Sequence, residues 1–495
     1  MPYPRSYNGT ATKPLYHGCS LARKTLARKN LKGYLLPGLH NVNKMNVDQV
    51  LEPTLKAILD AIQPLSDDWR VRSEIIQELQ DVVRSVESLR GATVEPFGSF
   101  VSNLFTRWGD LDISVTLSNR SCISSAGKKC KQKLLGELLR ALRQKGGWHR
   151  LQFIPNARVP ILTSESAHQN ISCDISIDNL HGHIKSKLLF WINEIDGRFR
   201  QMILLVKEWA KTHNINNPKA GTFNSYSLSL LVIFHFQTCA PAILPPLQAL
   251  YPRSATNDLI GLRADAERNI AEICASNIME YRSSKYRAIN RSSLSGLFLS
   301  FLAKFSDIHL KSKELGICPF TGQWEDVKSN MRWLPRTYSL FIEDPFEQPE
   351  NTARAVSAGN LIKISEAFRT TYQQLATANQ TRISILGTLV RPHISHFIAG
   401  IPVGNRSYPN VQHGSTCPVR SAIHSPLNCT NVRKDRRPNR KENYSSSSAK
   451  QNPGIHPKNL NVQQQERFSN KSTNQRPVKQ YNSAVQHVWR PKPYI

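Results

Sequence analysis

Residues 96–114 read PFGSFVSNLFTRWGDLDIS, and this stretch decides the fold. Asp110 and Asp112 lie two positions apart at the head of an apolar alternating run, which is typical of a β-strand. Side chains alternate between the two faces of a strand, so both carboxylates project from one face. Adjacent carboxylates repel each other unless a cation lies between them. Because Mg²⁺ prefers such oxygen ligands together with substrate phosphates, the pair predicts a metal site.

The pair Gly98-Ser99 strengthens this interpretation. A glycine lets backbone N–H groups and the Ser99 hydroxyl approach a triphosphate closely. An Asp-x-Asp pair taken alone is more often two solvated acids on a surface strand after a turn. The glycine and serine, which end eleven residues before Asp110, make that alternative much weaker.

A third carboxylate is expected, because two-metal sites usually share three. Asp174 and Asp178 both lie on one face of a second alternating run, so the spacing alone does not choose between them. Asp174 is preferred because it lies inside the apolar run, where an acidic residue is unusual unless it has a function. Asp178, beside Asn179, is more typical of a turn.

Two further segments offer groups that suit a nucleotide. Lys207 and Lys211 are four apart on a predicted helix, which places both ammonium groups on one face, although most such pairs belong to ordinary solvated faces. Ser225 and Tyr226 open the next helix, where a hydroxyl can hold a phosphate and an aromatic ring can stack on a base. Helix capping and core packing are equally good explanations of these two.

Charge and composition limit the class of protein. The chain has 495 residues and a formal charge of +29. Residues 1–47 carry eight basic and no acidic residues, residues 401–495 carry a net +13, and the middle holds only about +8. This distribution favours a polyanionic partner, most simply nucleic acid. There is no apolar run long enough for a membrane span, and nine widely spaced cysteines without a Cys-x-x-Cys pair argue against a disulfide framework or a zinc site.

These motifs, taken in order, resemble a known family. The chain is similar to noncanonical poly(A) polymerases and terminal uridylyltransferases of the DNA polymerase β-type nucleotidyltransferase superfamily. The resemblance covers about residues 50–375. The sequence around the motifs is similar to that of plant enzymes that add uridine tails to unmethylated small RNAs. It rests on Gly98-Ser99, Asp110-x-Asp112, Asp174-Ile-Ser, 206–211, Gly221-Thr222 with Ser225-Tyr226, and 342–347.

The resemblance implies an α+β fold with two domains. Residues 45–195 would hold N-terminal helices and a catalytic domain with a mixed sheet, and residues 196–376 a mainly helical, PAP-associated domain that binds the base. The N-terminal helices, about residues 46–90, would pack on this second domain.

Composition, rather than the resemblance, predicts the two ends. Residues 1–44 lack acids and apolar periodicity and are expected to be a disordered basic arm, with a transit peptide or an unexpressed upstream sequence as alternatives. Residues 377–495 are expected to be a mostly disordered basic tail, because a segment rich in Asn, Ser, Gln and Pro buries too little apolar area to offset the entropy of ordering.

The resemblance also implies roles for individual residues. Asp110, Asp112 and Asp174 would bind Mg²⁺, or alternatively Mn²⁺, which selects Asp174 over Asp178. The triphosphate would contact Ser99 and the Gly98 backbone, and also Lys207, Lys211 and Ser225. Tyr226 would stack on the uracil, while Asp344, Glu347 and the position of Glu350 belong to the loop that inspects the base.

Two positions depart from the family pattern. Many relatives have histidine where this chain has Glu350, and Asn-Thr where it has Lys185-Ser186. Because those residues help to distinguish UTP from ATP, the usual explanation of uridine preference does not transfer to this chain. UTP is therefore expected from the resemblance to the plant enzymes, with ATP as the alternative.

The implied reaction is the addition of UMP from UTP to the single-stranded 3′ ends of small RNAs that lack a terminal 2′-O-methyl group, which marks them for decay. The expected protein is a monomer without a membrane anchor, acts in nucleus and cytoplasm, and has an Argonaute-type silencing protein as a candidate partner. A catalytically silent RNA-binding scaffold on the same fold is the alternative from another class.

Overall fold

The computed structural model describes residues 40–117, 127–168, 170–253, 258–333, 337–377 and 380–400. The chain divides into two compact units, Met1–Asn410 and Val411–Ile495. The second unit, most of the predicted basic arm and the predicted tail beyond residue 400 lie outside the described residues. Within the described residues, no helix is long and apolar enough to cross a membrane.

A five-stranded mixed sheet carries the Asp-x-Asp motif. Its spatial order is β1-β2-β5-β4-β3. Only β2 and β5 run parallel, and every other neighbouring pair is antiparallel. The predicted α+β fold with a mixed sheet is therefore confirmed. The strands are β1 (Thr93–Phe97), β2 (Leu111–Thr116), β3 (Trp148–Ile154), β4 (Ile161–Ser166) and β5 (Ser172–Ile177).

Two helices, α2 (Ser66–Ser85) and α4 (Lys128–Lys145), share a core with this sheet. Apolar residues at helical spacing on α2, such as Ile75 and Leu79, are fully buried there. They pack with leucines of α4 and with strand residues such as Ile113 and Ile175. The short helix α3 (Gly98–Val101) follows β1 directly and turns the chain toward the Asp-x-Asp motif.

A second, larger core joins the remaining long helices. Helix α7 is apolar around most of its circumference and is buried at nearly every position, as its sequence predicts. The elements are α1 (His40–Ile62), α5 (Leu180–Asn193), α6 (Arg198–Thr212), α7 (Ser225–Thr238), α8 (Leu247–Leu250), α9 (Arg263–Ser283), α10 (Leu294–Phe305), α11 (Ile308–Lys311), β6 (Leu315–Cys318), β7 (Gln323–Asp326), α12 (Ala358–Ala376), α13 (Arg382–Leu389) and α14 (Pro392–Ile398).

The cores do not follow the predicted segments throughout. Helix α1 begins at His40, inside the predicted arm, and its apolar face packs with the helical core, as does α5. Helix α2, in contrast, packs on the sheet, so only the first of the two N-terminal helices lies where the resemblance implied. The boundary at 195/196 stays a prediction, because both cores lie within one compact unit.

The predicted start of the tail at residue 377 is wrong. Helices α13 and α14 follow α12, and both contact α1. Ile385, Leu389 and Ile394 are buried in the helical core. Short apolar helices gain stability mainly from such packing, so their own sequence gives only a weak signal.

The loop after β7 returns to the centre of the molecule. Ile342 pairs with Ile317 of β6, and Glu343 pairs with Asn351, which closes the loop on itself. Asp344 directly follows Glu343, inside the loop that the second bridge closes, and it contacts Lys185 of α5 and Tyr226 of α7.

Candidate active site

A cleft of about 320 Å³ lies between the start of the sheet and the helices α5, α6 and α7. Eight of the predicted site residues line it, which shows that residues far apart in sequence meet at one place. They are Gly98, Ser99, Asp110, Asp112, Lys207, Lys211, Ser225 and Tyr226.

The carboxylates lie on neighbouring parallel strands. In the register of β2 and β5, Asp112 is directly opposite Asp174, and Asp110 immediately precedes β2. Burial, together with the charges of Asp174 and Asp110, raises the pKa of Asp112 to about 7. Burial and the charge of Asp110 likewise raise the pKa of Asp174 to about 6. The charge of Asp110 therefore opposes the ionisation of both other acids, which places it close to them.

Asp178, the other candidate for the third carboxylate, has a structural role. It lies at the turn after β5 with φ 45°, and its Oδ1 accepts a hydrogen bond of 3.0 Å from the Leu117 N–H. The structure thus brings Asp174, and not Asp178, beside the Asp-x-Asp pair.

The three aspartates suit a divalent cation chemically, because they offer only oxygen ligands and because a cation would relieve their mutual repulsion. Within the described residues, no group of three or more His, Cys, Asp or Glu side chains is already arranged to hold a metal ion. The carboxylates would therefore have to turn toward one another to share an ion.

Gly98 allows the carboxylate of Asp112 to approach. A Cβ at this position would lie 1.9 Å from Asp112 Oδ2, and the φ of +68° also favours glycine. Its N–H donates to Ser186 Oγ at 2.6 Å, and the Ser99 N–H donates to Asp112. These N–H groups therefore orient side chains of the site, and the contact of the Gly98 backbone with a triphosphate stays a prediction.

The two lysines of α6 form the opposite wall of the cleft. Lys207 Nζ donates to the carbonyl oxygen of Leu104 at 2.9 Å. Burial and the charge of Lys211 lower the pKa of Lys207 to about 8, although the carboxylate of Asp112 acts in the opposite direction. Lys207 is therefore within electrostatic reach of both Lys211 and Asp112, and the two lysines line the same cleft.

The far end of the cleft joins Tyr226 to the loop that carries Asp344. The Tyr226 hydroxyl donates to Asp344 Oδ1 at 3.2 Å. Lys185 Nζ donates to Asp344 Oδ2 at 2.5 Å and to Glu347 Oε2 at 2.6 Å. Asp344 and Glu347 therefore reach the cleft wall through Lys185 and Tyr226.

Two predicted residues lie at the edge of the site. Glu350 is half exposed and pairs with Arg354 at 3.0 Å and Arg158 at 3.6 Å, so its carboxylate is held by partners other than Lys185. Ser225 is exposed at the start of α7 and exchanges hydrogen bonds with Asn216.

Sequence reasoning missed residues that hold the site together. Lys185 and Ser186 were visible only as departures from the family pattern, yet both contact predicted site residues. Arg72 was visible as a charged residue within the apolar face of α2. A charge at a core position was the signal that could have found it.

Comparisons with known proteins show the family to which this chain belongs. Residues 51–194 match the family "Poly(A) RNA polymerase, mitochondrial-like, central palm domain". Protein HESO1 of Arabidopsis thaliana is 61% identical over 350 residues, which cover 71% of this chain and 68% of HESO1. The chain belongs to the HESO1 family. This membership agrees with the resemblance to plant terminal uridylyltransferases that the motifs carry.

More distant relatives agree with this family. Terminal uridylyltransferase cid1 of Schizosaccharomyces pombe is 28% identical over 56% of this chain and 67% of its own length. Poly(A) RNA polymerase GLD2 of Bos taurus is 26% identical over 62% of this chain, which spans 59% of that protein. A crystal structure of the Cid1 poly(U) polymerase superposes with a TM-score of 0.55 at 22% identity, covering 70% of this chain and all of that one. The fold is therefore that of RNA nucleotidyltransferases.

Proposed function

We propose that this HESO1-family protein transfers UMP from UTP to the 3′-hydroxyl of single-stranded RNA without a template. The observation that carries the proposal is the parallel register that sets Asp174 beside Asp112, because Asp112 lines the same cleft as Lys207 and Lys211. Acids on one side and ammonium groups on the other suit a triphosphate that must be held while its α-phosphate is attacked.

In the proposed reaction, the 3′-oxygen attacks the α-phosphorus in line, and the bond to the bridging oxygen of pyrophosphate breaks. Asp110, Asp112 and Asp174 would hold Mg²⁺, or Mn²⁺ in its place, which neutralises charge on the phosphates when bound. Lys207 and Lys211 bind the triphosphate and stabilise the charge that develops on the leaving pyrophosphate. Tyr226 stacks on the base, and Ser225 contacts the phosphates.

The proposed substrates are small RNAs whose terminal ribose lacks a 2′-O-methyl group, and tailing marks them for decay. The 61% identity to HESO1 supports this assignment. The strongly basic sequence of 401–495 supports an additional electrostatic hold on RNA. We further propose that the protein acts as a monomer in nucleus and cytoplasm, with an Argonaute-type silencing protein as partner.

The test uses the full-length protein, a short single-stranded RNA and each of the four NTPs separately. The wild type should add a ladder with UTP and Mg²⁺, and much less with ATP. EDTA, or a 2′-O-methyl group on the terminal ribose, should stop the reaction. Asp112→Asn should lower the rate by ~10²–10³-fold or more, because charge stabilisation in the transition state is lost.

Asp178→Asn is the matched control, since its side chain can still accept the hydrogen bond from Leu117. It should keep nearly full activity. Ladders mainly with ATP would replace uridylyl transfer by poly(A) synthesis. RNA binding without extension by any NTP would instead identify a scaffold.

A further inference from the structure

Lys185 occupies the centre of the base-binding end of the cleft. It projects from α5 and lines the cleft together with Tyr226. Its Nζ lies 2.5 Å from Asp344 Oδ2, 2.6 Å from Glu347 Oε2 and 5.2 Å from the centroid of the Tyr226 ring. A lysine side chain is flexible, so these three contacts are what hold its ammonium group in one place.

The two carboxylates that hold Lys185 are themselves fixed. Asp344 is buried, and its Oδ1 accepts from the Tyr226 hydroxyl and from the N–H groups of Phe346 and Glu347. Its Oδ2 is thereby directed at Lys185. If the ammonium group moved away, the carboxylate of Asp344 would stay buried without its counter-charge, which is unfavourable.

Glu347 is also bound from the other side. Arg158 donates to its Oε2 at 2.8 Å, and His181 lies 3.2 Å from its Oε1. Although burial acts in the opposite direction, Lys185 and Arg158 lower the pKa of Glu347 to about 2. The carboxylate therefore stays ionised across the physiological range and keeps its hold on Lys185.

An ammonium group has three N–H donors and no acceptor. Two of the three are given to Asp344 and Glu347, which leaves one for a ligand in the cleft. A base stacked on Tyr226 would lie within reach of the ammonium group, because Nζ is 5.2 Å from the centroid of that ring.

We propose that Lys185 is the residue that selects uracil, by donating its remaining N–H to the O4 carbonyl oxygen of the base. Uracil presents an acceptor at this position, whereas cytosine and adenine present an amino group there. An amino group would face the fixed donor of Lys185 without an acceptor between them, which costs binding free energy. This inference rests on the proposed uridylyl transfer, and it adds the group that reads the base.

Glu350 does not compete for this role in the structure. Its carboxylate is half exposed and bound to Arg354 and Arg158, so it lies on the outer side of the same charge cluster. Lys185, in contrast, lines the cleft, and its Nζ lies 5.2 Å from the centroid of the Tyr226 ring.

The experiment measures kcat/KM of the full-length protein for UTP, CTP and the triphosphate of 2-pyrimidinone riboside, which lacks O4. The wild type should favour UTP over both. In Lys185→Met, kcat/KM for UTP should fall by ~10–100-fold, the size of one hydrogen bond to a charged group. In the same variant, kcat/KM for the analogue without O4 should fall little. The preference for UTP over the analogue should therefore nearly disappear.

Lys187→Met is the matched control, because Lys187 lies on the same helix and pairs with Glu267 at 2.6 Å, away from the cleft. It should leave the preference for UTP unchanged. Lys185→Arg, which keeps the charge and the donors, should recover part of it. Thermal melting of each variant reports whether folding is affected.

If Lys185→Met lowered kcat/KM for UTP, CTP and the analogue by the same factor, the inference would be overturned, and Lys185 would be a structural ion-pair partner. Proposed uridylyl transfer would survive that outcome, since the wild type would still favour UTP. A wild type without preference for UTP would overturn both.

Discussion

Arg72 is a single side chain that holds the loop before Asp110. It is fully buried, although it carries a charge. Its guanidinium donates to the carbonyl oxygens of Arg107 and Gly109, at 3.1 Å and 2.7 Å, and to that of Asp68 at 3.0 Å. Because Arg107 and Gly109 lie within three residues of Asp110 on its N-terminal side, Arg72 helps to fix the position of the Asp110 carboxylate.

We expect Arg72→Met to destabilise the protein by ~2–4 kcal/mol, because three carbonyl oxygens lose their donors in a buried site. The rate of nucleotide transfer should fall as well, since the loop before Asp110 loses its anchor. Urea unfolding followed by tryptophan fluorescence measures the first effect, and single-turnover kinetics the second.

Arg70→Met provides the comparison on the same helix. Arg70 is exposed and pairs with Asp67 and Glu74, and such surface pairs add little. Its loss should leave both stability and activity nearly unchanged. An Arg72→Met protein with wild-type kinetics would show that the loop is held by other contacts.

Single residues also mark how far sequence reasoning reaches. The spacing placed Asp110 and Asp112 on one face of a strand, and they are in the cleft wall. The same spacing did not decide between Asp174 and Asp178, because that depends on which strand neighbours β2. Register across a sheet is a long-range property and is not encoded in the local alternation of one strand.

At the scale of elements, α6 connects the site to the C-terminal helices. Glu208 lies between Lys207 and Lys211 in sequence, is buried, and receives two hydrogen bonds of 2.8 Å and 2.9 Å from Arg391. Arg391 joins α13 to α14, so this bidentate pair ties both helices to the one that carries the lysines.

Arg391→Ala should therefore destabilise the protein by ~2–4 kcal/mol, because it leaves the carboxylate of Glu208 buried without its cationic partner, with only the backbone N–H of residue 391 still donating to it. The double variant Arg391→Ala with Glu208→Gln should be more stable than the single one, since the uncompensated charge is gone. Urea denaturation of the four proteins in this cycle gives the coupling. Additive effects would mean that the pair contributes nothing beyond its separate residues.

Local patterns were good guides to most elements near the site. The strand predicted after Asp110 and the helices predicted for Lys207 and for Ser225 are all present, as β2, α6 and α7. The same patterns did not reveal α13 and α14, nor which core α1 would join. Those outcomes depend on tertiary packing, which short apolar segments cannot report by themselves.

At the scale of the whole molecule, charge is unevenly divided. Residues 401–495 hold a net +13, and the segment 433–441 alone contains six basic residues. RNA binding by such a segment releases counterions, so its contribution should weaken steeply as salt rises. Base selection, in contrast, belongs to buried contacts such as that of Lys185 with Asp344, which salt screens much less.

Replacing the six basic residues of 433–441 by glutamine in the full-length chain should separate the two effects. The slope of log affinity for a short single-stranded RNA against log salt concentration should become shallower, by up to ~4 if all six contact phosphates. The preference for UTP over CTP should not change. Filter binding across a salt series measures the slope, and both proteins should converge at high salt. Equal slopes would show that this segment makes no phosphate contacts, and the RNA would then be held by the compact part of the chain alone.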